Sequence, residues 1–186
     1  MTSIPFTITI HMVASLDGMI AKRDNSISWF EATSNYEEGA GAPDTSEFLK
    51  GIDCYVMGAR TYELARELSV SYGWPYGDKP TYVLSHHRLS PDRPNIEIYT
   101  GDAESLVDEK LKPQFKNAWV VGGAAVAKTF LRLKLADEIR ISILPILLGD
   151  GVPYFDTIGV EQALRLKDIT AYKNGMVELV YEIARG

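Results

Sequence analysis

The chain has 186 residues, 46% of them hydrophobic, which predicts one domain with a sizeable core over residues 1–186. Its net charge of −6 argues against a nucleic-acid surface but leaves room for an anionic cofactor in a local basic pocket. The single cysteine, Cys54, excludes an intramolecular disulfide, and its apolar run Cys54–Met57 points to core packing in a reducing, cytoplasmic setting.

The opening MTSIPFTITI lacks the basic start and long apolar run of a signal peptide. No apolar stretch is long enough to span a bilayer, so no membrane partner is expected. Phe6–Ser15 is β-rich and predicts the first strand. Ser15-Leu16-Asp17-Gly18 ends it with turn chemistry, since Asp bonds its own backbone and Gly accepts positive φ. Met19–Ala21 predicts a short extended return, Lys22–Ser28 a polar loop, and Trp29-Phe30 an aromatic patch where a helix starts.

Tyr36–Pro43 is a Gly- and Ala-rich loop. Asp44 or Thr45 is the expected cap of a short helix through Lys50, with Glu47 in its first turn and Gly51 at its end. Cys54–Met57 predicts a strand that Gly58-Ala59-Arg60-Thr61 turns into a helix bearing Tyr62, Leu64, Ala65 and Leu68. Ser69–Lys79 reads as an aromatic loop, Thr81–Ser85 as a strand running into His86-His87-Arg88, and Ile96–Tyr99 as another strand. Asp102 is the expected cap of a helix from Ala103 that Pro113 ends or kinks.

Ala118–Leu131 is the stretch around which the chain is organised. Trp119–Val121 predicts a buried central strand. Gly122-Gly123 follows, and then a helix from Ala124 to Leu133 with Ala125, Val126, Thr129, Phe130 and Leu133 near helical spacing. Strand, two glycines, helix is a phosphate holder: the backbone approaches closely, and the helix N-terminus offers free N–H groups and partial positive charge. A tight turn that binds nothing has the same pattern. Glu138–Leu144 alternates as a strand, Leu147–Phe155 is a glycine-rich loop, and Ala163–Tyr172 and Met176–Ala184 form a hairpin at Lys173-Asn174-Gly175.

These elements predict an α/β fold: a mixed, mostly parallel sheet with helices on both faces and a C-terminal hairpin. Ligands in such sheets lie beyond the carboxyl ends of the parallel strands. Three junctions qualify, namely Gly58–Thr61, Ser85–Arg88 and Gly122–Ala124. They supply hydroxyls, Arg60, Arg88 and histidines suited to a phosphorylated nucleotide. The histidines, carboxylates and cysteine show no metal-ligand spacing.

On these motifs the chain resembles the dihydrofolate reductase superfamily, most closely the reductase domain of bacterial riboflavin biosynthesis and its stand-alone relatives. The resemblance is carried by Ser15–Ala21, Met57–Glu63, Val83–Ser85, Val121–Gly123, Asp137-Glu138, and Pro145–Gly151 with Phe155. It implies a three-layer dihydrofolate-reductase-like fold, NADPH as cofactor, a small heterocyclic substrate and a homodimer. It further implies that the Ile20 and Ala21 backbone meets the nicotinamide carboxamide, and that Arg60 and Thr61 meet the phosphates. Ser85 with His86 and Arg88 would meet the adenosine 2′-phosphate, and Gly122-Gly123, joined by a cis peptide in the superfamily, the pyrophosphate. The superfamily commonly has Arg directly after the glycine of the second motif; here that residue is Ala59.

Hydride transfer is mostly positioning, so a proton donor is the main group the protein adds. The candidates are Asp17, whose alternative role is turn capping, and Glu31, a donor or substrate anchor. Trp29, Phe30, Tyr72, Trp74 and Tyr76 form a candidate aromatic lining for a flat substrate. Three alternatives stand beside a reductase of pterin-like or pyrimidine-like rings: a dihydrofolate reductase, a reductase of the riboflavin-pathway ribosylamino-pyrimidine, and a protein that binds NADPH without turnover. The assembly surface is expected on Ile139, Ile141, Ile143 and Leu144–Leu148.

Overall fold

The structure, a computed structural model, describes residues 5–42 and 45–185. Its strands are β1 (Thr7–Ser15), β2 (Met19–Ala21), β3 (Cys54–Gly58), β4 (Thr81–Leu84), β5 (Ile96–Tyr99), β6 (Asn117–Gly122), β7 (Glu138–Leu144), β8 (Val152–Pro153), β9 (Leu164–Ala171) and β10 (Val177–Ile183). The helices are α1 (Thr45–Gly51), α2 (Ala59–Tyr72), α3 (Ala103–Ser105) and α4 (Ala124–Arg132). Asp44 and the side chains of Thr45 and Glu47 lie outside the described residues.

Eight strands form one sheet in the order β5-β4-β3-β6-β1-β7-β10-β9, while β2 and β8 pair separately. The first six run parallel, and β10 and β9 antiparallel. β6 lies between β3 and β1, so the expected interior parallel strand is found. Strand alternation sends Ile8, Ile10, Met12 and Ala14 of β1 into a core shared with Val56, Val120, Phe130 and Leu106, on the face covered by α3 and α4. Burying one such side chain contributes about 1.5–3 kcal/mol. The opposite face carries Tyr55, Met57, Tyr62 and Val83, with Phe48 of α1 and Trp119 packed against them.

Several local expectations are corrected. The Trp29 patch makes a single 3-10 turn, Ser28–Glu31, pinned by the buried Trp29. Ser69–Tyr72 is helical rather than loop: α2 runs on until Gly73, whose φ of 79° ends it while its N–H reaches the Ser69 carbonyl at 3.0 Å. That separates the proposed aromatic set. Trp29 packs with Leu144 and Met176, Trp74 and Tyr76 pack on the far cluster, and Tyr72 is 85% exposed. In α4 the buried positions are Ala127, Phe130 and Leu131, with Ala125, Thr129 and Leu133 outside. In β6 the fully buried side chains are Ala118 and Val120, while Trp119 and Val121 are half-buried on the other face.

The remaining elements form where expected, except that the Leu147–Phe155 loop contains the short strand β8 paired with β2. Asp102 caps α3 by accepting from Ser105 N–H at 2.7 Å, and the helix continues as a π-type turn through Leu111 ahead of Pro113. The hairpin turns at Gly175, φ 80°. No helix among the described residues is long and apolar enough to cross a membrane.

Candidate cofactor and substrate site

Met57 and Gly122 are register partners, so the carboxyl ends of β3 and β6 lie side by side. β3 ends in Gly58, the N-cap of α2, and β6 ends in Gly122, followed directly by Gly123, the N-cap of α4. Neither cap has a side-chain hydrogen bond to the helix, so both N-termini keep free N–H groups. Val126 and Ala127 return to the Gly123 carbonyl at 3.0 and 3.1 Å, which places the Ala124 and Ala125 N–H groups ahead of the first intrahelical bond.

The glycines leave a cradle that side chains would fill. A Cβ on Gly58 would stand 3.0 Å from Val126 and 3.9 Å from Gly123 N, and one on Gly123 3.4 Å from the Thr61 hydroxyl. Gly58, Thr61 and Gly122–Ala124 therefore converge, with exposed Arg60 in the first turn of α2. The Gly122–Gly123 peptide is cis, as the resemblance implied.

The other predicted residues flank this cradle. Next to β3, β4 is followed by Ser85, whose hydroxyl accepts from His87 N–H and donates to the His87 carbonyl, both at 3.1 Å. The side chains of His86 and Arg88 are exposed beyond that turn. On the opposite side, past β1, Ile20 and Ala21 lie on β2, held against β8. Gly151 makes this packing possible, since a Cβ there would fall within 2.2 Å of the Ala21 carbonyl oxygen.

Asp17 is a clasp. It accepts from the Ser15 hydroxyl at 2.5 Å, Leu148 N–H at 3.1 Å and Gly149 N–H at 2.7 Å. The Ser15 bond first, then the two backbone bonds, hold its carboxyl at about 2, ionised at neutral pH. Glu31 ends the 3-10 turn and is exposed. Cys54 is fully buried and burial pushes its thiol up to about 12, which removes thiolate chemistry.

The structure also assembles a polar cluster that sequence reasoning missed, on the sheet face under α1. His11 Nε2 lies 3.1 Å from Ser142 Oγ, Ser142 donates to Glu178 at 3.2 Å, and Arg140 donates to the same carboxylate at 2.5 Å. His11 stacks on Trp119, and Arg140 lies 4.5 Å over the Phe48 ring. Strand alternation in β7 was the available signal: Arg140 and Ser142 face away from Ile139, Ile141 and Ile143. Nothing local linked them to His11, 131 residues before Ser142, or to Glu178, 36 residues after it.

Burial alone would raise the Glu178 carboxyl, but the hydrogen bond and charge of Arg140, helped by His11 and Ser142, hold it below the ordinary range. For His11, burial first and the Arg140 charge second lower the imidazole to about 4, with Glu178 opposing only in part. The unfolded chain protonates His11 near pH 6.5 and the folded protein only near 4. Stability from this group is complete above 6.5 and lost as pH falls through that window, by up to about 3 kcal/mol. Urea unfolding between pH 7 and 4.5 should show the decline, and His11→Gln should flatten it; a wild-type curve already flat there would refute a neutral buried imidazole.

Comparison with known proteins fits this architecture. The uncharacterized protein YwjB of Bacillus subtilis (strain 168) is 32% identical over 158 residues, 85% of this chain and 87% of its own length. YyaP of the same organism is 29% identical over 188 residues, 94% and 93% of the two chains. A putative riboflavin biosynthesis protein from Shewanella sp. PV-4 superposes with a TM-score of 0.83 at 23% identity, covering 97% of this chain and all of the other. The Thermotoga maritima deaminase/5-amino-6-(5-phosphoribosylamino)uracil reductase gives 0.68 at 16%, with this chain spanning 57% of its length. A pyrimidine reductase-like protein from Corynebacterium diphtheriae gives 0.62 at 16%, covering 97% and 92%. These likenesses bear out the dihydrofolate-reductase-like fold. Residues 6–178, from the start of β1 to the carboxylate of Glu178, match the family described as the RibD C-terminal domain, and the chain belongs to that family.

Proposed function

We propose that this protein is an NADPH-dependent reductase that delivers hydride to a small, oxidised heterocycle of pyrimidine type. The observation that carries the reading is the pair of adjacent, uncapped, glycine-led helix N-termini at Gly58 and Gly123. Two such termini side by side suit a pyrophosphate, whose oxygens would accept from both helices and from the Thr61 hydroxyl. The β2 backbone at Ile20 and Ala21 would hold the nicotinamide end, and Arg60, Ser85, His86 and Arg88 the adenosine end. Bound NADPH supplies the hydride; the chain positions it and keeps water away. Asp17, held ionised in its clasp, orders the strand end rather than giving a proton. The uracil and pyrimidine reductases among the structural neighbours support a pyrimidine ring, and exposed Glu31 gives dihydrofolate little support as substrate. Loss of reduced-nicotinamide absorbance with a panel of pyrimidines and pterins tests the reading. Tight NADPH binding without turnover on any of them would instead favour the non-catalytic alternative.

Preference for NADPH over NADH must come from cations at the adenosine end. One charge-assisted contact contributes about 1.5–3 kcal/mol, roughly ten- to hundredfold. Arg60→Ala or Arg88→Ala should therefore reduce NADPH affinity by about that factor and leave NADH nearly unchanged. Calorimetry of both cofactors at fixed salt checks this; variants that weaken both alike would show that neither arginine reads the 2′-phosphate.

We also propose a homodimer, on a surface that runs outward from Ile141 of the expected one. Ile139 and Leu144 are buried, so the apolar surface lies further out. Register places Leu166 beside Tyr181, and Ile169 beside Leu179 and then Ile141, which makes one apolar face across β9, β10 and β7. Leu164, Leu166 and Ile169 remain 45%, 50% and 59% exposed on it. Light scattering should give about twice 20.7 kDa for the wild type and the single mass for the double change Leu166→Asp, Ile169→Asp; a monomeric wild type would refute the dimer.

A further inference from the structure

The His11–Ser142–Glu178–Arg140 cluster has no part in holding phosphates, yet it ends in two atoms without a partner among the described residues, His11 Nδ1 and Arg140 Nε. Their chemistry follows from the bonds beside them. The one hydroxyl hydrogen of Ser142 goes to Glu178. Ser142 Oγ therefore accepts from His11 Nε2, which puts the imidazole proton on Nε2 and leaves Nδ1 a bare acceptor. Arg140 gives its Nη2 to Glu178 and keeps Nε–H as a free donor. A network built only for stability would match both atoms. Here one buried acceptor and one buried donor remain, on side chains that meet the same ring. Phe48 stands edge-on to His11 at 5.2 Å between centroids, and the Arg140 guanidinium lies 4.5 Å over it. Val13 follows His11 on the same strand face, about 7 Å closer to the strand end where β2 begins.

We propose that His11 Nδ1 and Arg140 Nε are specificity-determining contacts that read a lactam edge of the substrate ring. The ring N–H donates to Nδ1, the neighbouring carbonyl accepts from Nε–H, and the ring takes the place that Phe48 covers, beside Trp119. An edge carrying two donors, such as an amino group beside a protonated ring nitrogen, calls for a free carboxylate. Among the described residues Glu178 is the carboxylate of this cluster, and both its oxygens are engaged by Arg140 and Ser142. A uracil-type edge, one donor beside one acceptor, matches the free pair. The assignment rests on the reductase reading for its substrate, but its binding test requires no turnover.

The test is calorimetric titration, in mildly acidic buffer, with 5,6-diaminouracil and with 2,4,5,6-tetraaminopyrimidine, whose protonated ring nitrogen beside an amino group then gives the opposite, two-donor edge. The wild type should favour the uracil by about tenfold or more, the value of one hydrogen bond. His11→Gln keeps an amide N–H for Ser142 and deletes Nδ1; Arg140→Lys keeps a charge against Glu178 and deletes Nε. Each should abolish most of that selectivity, with NADPH affinity unchanged within about twofold. Equal binding of the two probes by the wild type, no binding of the uracil, or variants that retain full selectivity would each overturn the assignment. NADPH affinity is measured in separate titrations. Selectivity present without NADPH binding would sink the reductase reading alone, and NADPH binding without selectivity would sink the edge assignment alone.

Discussion

Gly123→Ala is expected to lower NADPH affinity about a hundredfold or more while leaving the folded protein close to wild-type stability. Gly123 has an ordinary φ of −77°, and an added Cβ would stand 3.4 Å from Thr61 Oγ1, a contact the fold tolerates. The methyl would, however, occupy the space between the Thr61 hydroxyl and the free N–H groups of α4. Losing two charge-assisted bonds of about 1.5–3 kcal/mol each gives at least a hundredfold. Gly122→Ala should fail in the opposite way. Its φ of 124° is costly for a side chain, and its Cβ would meet Met12 Sδ at 2.7 Å. That change should cost about 1–3 kcal/mol of stability. Calorimetry and urea unfolding of both variants separate a ligand cradle from a mere tight turn. Gly123→Ala binding NADPH as the wild type does would leave only the turn.

Glu178→Ala should destabilise the protein by about 3 kcal/mol, and Glu178→Gln by less. The carboxylate is 6% exposed and is the charge partner of Arg140, whose side chain is 24% exposed. Removing it strands a partly buried guanidinium and leaves Ser142 without its acceptor. The amide of Gln keeps one acceptor oxygen for these donors. Denaturant unfolding at pH 7.5 measures the difference; Ala and Gln variants as stable as the wild type would show that the cluster adds nothing to the fold. The two glycine variants should be insensitive to this change, since they act at the strand ends rather than on the face under α1.

The fold was largely legible because parallel strands announce themselves as apolar runs and their junctions as glycines. Trp119–Gly123 and Cys54–Gly58 each state strand, stop and helix within a few residues, so the glycine-led half of the candidate site was readable locally. Ser69–Tyr72 was not. Its serines and Val70 are weak helix formers, and Val70 is 87% exposed, so no apolar period marked the last turn of α2. Only the positive φ of Gly73 shows where it stops. The polar cluster on the sheet face was illegible for another reason. His11, Arg140, Ser142 and Glu178 come together through register between strands distant in the chain, and each looked alone like an ordinary strand residue.

The position of β1 has a consequence for biosynthesis. This strand is made early, yet its neighbours come late: Thr7 pairs with Asn117, and Thr9 with Glu138. At a translation rate of about 5–20 residues per second, β1 waits roughly 5–25 s before either partner strand exists. Throughout that interval Ile8, Ile10 and Met12, all buried in the finished protein, have no sheet to enter. Pairings this distant also make spontaneous folding slow, because loop closure precedes the contacts that reward it. The yield of native protein should therefore rise with cooler growth, which slows association of the waiting apolar strand.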